Sequence, residues 1–175
     1  MGVIGAKVKT RRLLADDADL YRDIRLEALK LAPEAFSSTF AREDAKPPEW
    51  FAARLDDAAV FGAFAESDLL GIAGFFAGQG QKEAHKGVLW GMYVRSHARG
   101  RGVGRRLVAA VIEHARRHVE ILQLTVVAGN KPARSLYAKM GFVEYGIEKN
   151  GLKEDGRCWD QILMAKPLLS DEATC

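Results

Sequence analysis

Three glycines, Gly100, Gly102 and Gly104, alternate along a short stretch that also carries Arg99, Arg101 and Arg105. Val103, Leu107, Ala110, Val111 and His114 then recur at helical spacing, which puts the glycines at the entrance to a helix. Each glycine inside a helix costs about 1 kcal/mol relative to alanine, so three of them ask for a physical reason. Without side chains the backbone can approach a ligand closely. The unpaired N–H groups of the first helical turn then face that ligand with about half a positive charge from the aligned peptide dipoles. A pyrophosphate meets this description. On the glycines alone, a tight strand-to-helix turn flanked by solvated arginines meets it too. Two other phosphate motifs are excluded: the spacing is not that of the dinucleotide fingerprint, and Arg105-Arg106 follows Gly104 where a P-loop carries Lys and then Ser or Thr.

A second constellation lies downstream. Asn130 and Pro132 open a short helix to Lys139 on which Ala133, Leu136, Tyr137 and Met140 share a face, and Gly141 supplies its C-terminal cap. By periodicity Tyr137 is a core residue and Asn130 an N-cap. By chemistry, a phenol with pKa near 10 can donate a proton without ionising at rest.

The elements that hold these residues follow from pattern. Lys7 to Leu14 reads as a strand, and Asp16-Asp17 cap a helix carrying Leu20, Ile24, Ala28 and Leu31 that stops near Pro33. A second helix opens at Pro47-Pro48 and ends near Asp56-Asp57. Ala59 to Ala65 and Leu69 to Ala77 form a hairpin across Glu66-Ser67-Asp68, Gly87 to Val94 is the strand before the glycine loop, and Ile121 to Val127 the strand after its helix. Phe142 to Glu148 and Gln161 to Ala165 are the last strands, with Asn150-Gly151 and Glu154-Asp155-Gly156 in the loop between them. This order is a mixed α/β sandwich rather than a doubly wound sheet. It forms one domain over residues 1–169, with a frayed tail at 170–175.

With 175 residues, 48% hydrophobic and 28% charged, the chain is long enough for a core without disulfide or metal staples. No apolar run is long enough to span a bilayer, and the first residues lack the apolar stretch of a signal peptide, so a cytoplasmic protein with no membrane partner is expected. Cys158 and Cys175 are too few for a disulfide framework and show no metal-ligand spacing with the four histidines, so no metal is expected. A net charge of +3 does not by itself call for nucleic acid. The arginines nevertheless crowd between Arg95 and Arg117, with Glu113 the only acid among them, and Trp90 and Tyr93 lie nearby. That grouping keeps a basic RNA-binding module open as a rival, although the strand lacks the aromatic signature of an RNA-recognition motif.

Arg99-x-x-Gly102-x-Gly104 directly after a strand ending in Val94 resembles the coenzyme A signature of the GNAT superfamily of N-acetyltransferases. Asn130-x-x-Ala133-x-x-Leu136-Tyr137-x-x-x-Gly141-Phe142 resembles the second coenzyme A element of the same superfamily, at the expected distance. The two motifs cover about the central third of the chain, and their joint order is far harder to meet by chance than either alone. The resemblance implies the acyl-CoA N-acyltransferase fold: a mixed, mostly antiparallel sheet flanked by helices and splayed between the strands at 87–94 and 121–127. It implies acetyl-CoA as cosubstrate and transfer of acetyl to a primary amine of a small molecule or peptide, with pairing into a homodimer as in small relatives. Met92, Tyr93 and Val94 would line the pantetheine arm. Arg99, Gly100, Arg101, Gly102, Val103, Gly104 and Arg105 would cradle the phosphates, and Asn130 would touch the cofactor arm. Tyr137 resembles the general acid that protonates the departing thiolate; its retention speaks against a catalytically silent acetyl-CoA sensor.

The general base is not fixed. Many relatives place a glutamate on the strand before the phosphate loop, where this chain has Trp90, Gly91, Met92 and Tyr93. Glu27, Glu34, His85 or a water chain remain open, and Phe36, Phe40, Trp50 and Phe51 are candidates for an acceptor wall between the first two helices. The segments at Arg22 to Phe36 and Asp155 to Met164 look like those of small bacterial members whose substrates vary.

Overall fold

The computed structural model describes residues 7–168, so the expected tail at 170–175, Cys175 and the first six residues, read as lacking a signal peptide, lie outside the described residues. The elements in chain order are β1 (Val8–Arg12), α1 (Ala18–Leu31), α2 (Phe40–Asp44), α3 (Pro48–Asp57), β2 (Ala59–Ala65), β3 (Asp68–Ala77), β4 (Lys86–Val94), α4 (Val103–Ala115), β5 (Ile121–Val127), α5 (Lys131–Lys139), β6 (Val143–Glu154) and β7 (Arg157–Pro167). The strands form one sheet in the order β1-β2-β3-β4-β5-β7-β6, antiparallel everywhere except between β4 and β5.

Alternation along the central strands sends side chains to two cores. On one side Leu70, Leu89, Leu122 and Met164 pack with Leu107 and Val111 of α4. On the other, Val60 and Ile72 pack with Ile24 and Ala28 of α1 and with Phe51 and Leu55 of α3. The sheet is thus covered by helices on both faces, the mixed α/β layering expected from element order.

Several local expectations are corrected. In α1, Leu20 and Leu31 are exposed, while Tyr21, Arg25 and Leu29 join Ile24 and Ala28 inside. Hydropathy misplaces this face because it cannot see that a charged Arg25 is buried with a partner. Asp17 does not cap α1 with its side chain; its carboxylate accepts two bonds of 2.7 Å from Arg11, tying the chain back to β1, and one of 2.9 Å from the Leu14 amide, which caps the short turn at 15–17 instead. The last two strands run well past their expected ends. β6 passes through Asn150-Gly151, absorbing the irregularity as a register shift between Glu148 and Leu152 with Asn150 at φ 54°. Asp155 (φ 47°) and Gly156 (φ 78°) make the actual two-residue turn, and two successive positive φ values suit the twist of a hairpin.

The partner of Arg25 is Glu43 on α2, a helix the sequence pattern does not reveal. Arg25 Nε and Nη2 donate to the two carboxylate oxygens at 2.8 and 2.7 Å, and both residues are sealed from solvent. Burial works to raise the Glu43 carboxyl, but the bonds and charge of Arg25 outweigh it and hold the group below its usual range. Because the folded-state value is depressed, the stabilisation is complete above the unfolded value near 4.3 and is lost as pH falls through the folded one. Glu43→Gln leaves Arg25 buried without a counter-charge and should cost about 3–5 kcal/mol near neutrality. Denaturant titrations of parent and variant across pH should show this gap narrowing below about pH 4. A gap that stays constant through the acid range would show that the carboxylate charge contributes nothing.

Candidate active site

β4 and β5 pair only at Lys86↔Ile121, Gly87↔Leu122 and Val88↔Gln123. Beyond that point β4 stays with β3 as far as Val94↔Gly71, and β5 stays with β7 as far as Val127↔Gln161, so the two diverge. A bulge bends β4 at the split: between Ile72↔Tyr93 and Gly74↔Trp90 the single residue Ala73 faces both Gly91 and Met92, with Gly91 at φ 63°. The splay expected between 87–94 and 121–127 is therefore present. It leaves backbone groups of β4 past Val88 without a strand partner on the β5 side, an edge on which an extended ligand can make main-chain hydrogen bonds.

A cleft of about 790 Å³ occupies the split. Met92, Tyr93 and Val94 of β4 line it, followed by Arg99, Gly100, Gly102, Val103, Gly104 and Arg105 of the loop and first turn of α4. The facing wall comes from Val127 and Gly129 after β5 and from Asn130, Pro132, Ala133 and Leu136 of α5. A third wall, from the opposite side of the sheet, is made by Ala32, Glu34, Ala35 and Phe36 after α1 and by Arg157 and Trp159 of β7.

Gly102 is the N-cap residue of α4 at φ 75°, a conformation that L side chains rarely adopt, and no atom lies within 4 Å of where its Cβ would be. Gly104 serves close packing instead: a Cβ there would meet Leu136 and Met92 at 3.1 Å, so its absence lets α4 approach α5 and β4. The first turn of α4 carries no acidic residue and no side-chain cap, so its N–H groups face the cleft edge uncompensated. Arg99 is fixed by a 3.0 Å bond from Nε to the Val94 carbonyl, with its guanidinium over the Tyr93 ring. Rigid donors at a positive helix end can hold a phosphate-bearing ligand.

Two of the expected residues stand apart from the cleft lining. Arg101 is exposed and does not line it. Tyr137 lies on α5 next to Leu136, is 5% exposed, and packs edge-on against Phe142 at 5.9 Å. Burial pushes its phenol well above the ordinary tyrosine range, so it stays protonated at any ordinary pH. Asn130 both lines the cleft and caps α5, accepting from the Ala133 amide at 3.2 Å.

The three base candidates separate clearly. Glu34 lines the cleft. Glu27 is engaged elsewhere: it accepts from the Tyr93 hydroxyl at 3.0 Å and makes a 3.0 Å ion-pair contact with Arg95. Burial, and then the bond to Glu27, raise the Tyr93 phenol. His85 is exposed at the closed end of the split, where its carbonyl accepts from the Glu120 and Ile121 amides, which removes it from the site. Of the expected aromatic wall only Phe36 lines the cleft; Phe51 is core, Trp50 packs against that core, and Phe40 is partly exposed. Arg157 and Trp159 were not singled out from sequence, although their i, i+2 spacing after an Asp-Gly turn places them on one face of a strand.

Among the described residues no cluster of three or more potential metal ligands occurs, and no helix is long and apolar enough to cross a membrane. No protein with a curated description matches the chain. Solved structures do. An acetyltransferase of the GNAT family from Streptococcus pneumoniae is 26% identical over 92% of this chain and 99% of its own, with a TM-score of 0.80. A ribosomal-protein-alanine N-acetyltransferase from Brucella melitensis is 29% identical, covering 91% and 99%, with a TM-score of 0.77. The putative acetyltransferase yncA from Salmonella typhimurium, solved with its cofactor acetyl-CoA, is 20% identical over 95% and 96%, with a TM-score of 0.79. The profile of the acetyltransferase (GNAT) family matches residues 24–142, more than half of the sequence and including both glycine-loop and α5 motifs. The chain therefore belongs to the acetyltransferase (GNAT) family.

Proposed function

We propose that the protein is an N-acetyltransferase that transfers acetyl from acetyl-CoA to a primary amine, both substrates being bound together. The observation that carries this reading is the split between β4 and β5 directly beside the uncapped N-terminus of α4. Amides of Gly102 to Arg105, with Arg99 and Arg105, would hold the pyrophosphate. The free edge of β4 at Met92 to Val94 would pair with the amide-bearing pantetheine arm, and Asn130 would border it. When bound, acetyl-CoA supplies the acetyl group on a thiol leaving group.

The chain's own residues address the two proton problems. An alkylamine with pKa near 10.4 is almost wholly protonated at pH 7, a handicap of about 4–5 kcal/mol if only the free base reacts. Glu34 is the carboxylate on the cleft wall and the residue assigned to receive that proton, directly or through water. Tyr137 is assigned to donate to the departing sulfur on its place in the α5 motif; burial keeps it protonated at rest but also makes it a weaker acid, and its ring stands back from the cleft lining. The RNA-binding rival loses support because the basic stretch is partly neutralised: Arg95 meets Glu27 and Asp68, and Arg117 meets Glu113. The test is transfer of an isotopically labelled acetyl group from acetyl-CoA to an added primary amine. Label recovered on the amine supports the reading, and tight acetyl-CoA binding without any such transfer refutes it.

A further inference from the structure

We propose that the acceptor is an amine that also carries a carboxylate, and that Arg157 is the residue that binds this carboxylate. The inference rests on the acetyltransferase reading and deepens it.

Phosphate-binding features gather at the α4 end of the cleft, so the acceptor must enter by the remaining wall, made of Ala32, Ala35, Phe36 and Glu34 on one lip and Arg157 with Trp159 on the other. The Asp155-Gly156 turn sets the register of β7, so that Arg157 and Trp159 share a face, and the Arg157 guanidinium lies 5.2 Å from the centre of the Trp159 ring. Stacking of this kind pre-orders the planar fork that carboxylates match in two hydrogen bonds.

Two other cations of this region are matched, whereas Lys153, on the facing strand of the hairpin, has no carboxylate partner among the described residues. Lys149 meets Asp160 at 2.8 Å and Arg134 meets Glu144 at 2.8 Å. Among the described residues, no carboxylate lies within 4.0 Å of Arg157. Arg157 is exposed, stacked on Trp159 and without a counter-charge, at the edge of a ligand-sized cleft, where it can bind a carboxylate by donating two hydrogen bonds. Glu34 on the opposing lip repels carboxylate and attracts ammonium, so the two lips present opposite charges to the two ends of one acceptor. Phe36 and the two alanines on the Glu34 lip, with the Trp159 ring on the other, give the body of the acceptor apolar surface to lie against.

The experiment compares kcat/KM for α-amino acids and their α-carboxamides, matched side chain for side chain, with parent, Arg157→Gln and Arg157→Lys proteins. The lower amine pKa of the amides affects all three proteins alike, so the change in the acid-to-amide ratio isolates the contribution of residue 157. Loss of a charge-assisted bidentate contact should lower kcat/KM for the acids about tenfold or more in Arg157→Gln, mainly through KM. The amides should change little, Arg157→Lys should recover part of the loss, and acetyl-CoA affinity by calorimetry should be unchanged. Equal losses for acids and amides, no loss for either, or a parent that acetylates other amines but no amino acid would each overturn the proposal while leaving the acetyltransferase reading intact. A parent that binds no acetyl-CoA would remove both.

Discussion

Gly102→Glu is expected to weaken acetyl-CoA binding at least about a hundredfold while the protein stays folded. Two unit charges 4 Å apart interact by about 1 kcal/mol in water and about 4 kcal/mol near a protein surface, and a repulsion of about 3 kcal/mol is a hundredfold in affinity. The site makes this a test of charge rather than of folding. No atom lies within 4 Å of the added Cβ, so the side chain has room, although the positive φ of 75° adds strain of about 1–2 kcal/mol for any L side chain. A carboxylate at the start of α4 meets the positive end of the helix, which offsets part of that strain. Gly102→Ala carries the same backbone strain without the charge and should retain most of the affinity. Calorimetric titration of the three proteins decides the matter: a Gly102→Glu protein that is folded and binds as tightly as the parent removes the phosphate site from this loop.

Tyr137→Phe is expected to slow the chemical step about a hundredfold, the lower end of what acid–base assistance contributes where water can partly substitute. The ring and its contact with Phe142 are retained, so stability and acetyl-CoA affinity should change little. Burial holds the phenol protonated. The parent rate should accordingly rise with pH as the acceptor amine loses its proton, with no alkaline decline from Tyr137 within the range where the protein is folded. Single-turnover rates at saturating substrates read the chemical step directly. Equal rates in parent and variant would make Tyr137 a packing residue, as its periodicity alone suggests, and leave the thiolate to take its proton from solvent or from the amine.

What the sequence discloses is what local physics dictates. β2, β3 and β5 appear near their expected bounds because their apolar runs are bordered by turn residues, and Pro48 opens α3 as a first-turn proline should. The glycine loop is legible because glycines at a helix entrance have few uses. Features that depend on distant partners are not. Arg25 and Glu43 stand 18 positions apart, and each reads as a surface charge until the other is placed beside it. His85 looks like a proton acceptor until the turn before β4 is seen to place it at the closed end of the split. The third wall joins residues 32–36 to residues 157 and 159, which no spacing rule connects, so the acceptor side of the site emerges only from the fold. Tyr137 divides the two kinds of evidence: its motif assigns chemistry, while its burial assigns packing and a firmly held proton.

The most direct test of the whole account follows the acetyl group. The protein is incubated with acetyl-CoA labelled in the acetyl carbon and with pooled primary amines that include amino acids, and the products are read by mass spectrometry alongside free thiol. The account predicts label on an amine nitrogen in one-to-one proportion with thiol released, dependent on the protein and lost in Gly102→Glu. Thiol release with the label recovered as free acetate, or acetyl-CoA bound tightly with no label transferred to any amine, would contradict it.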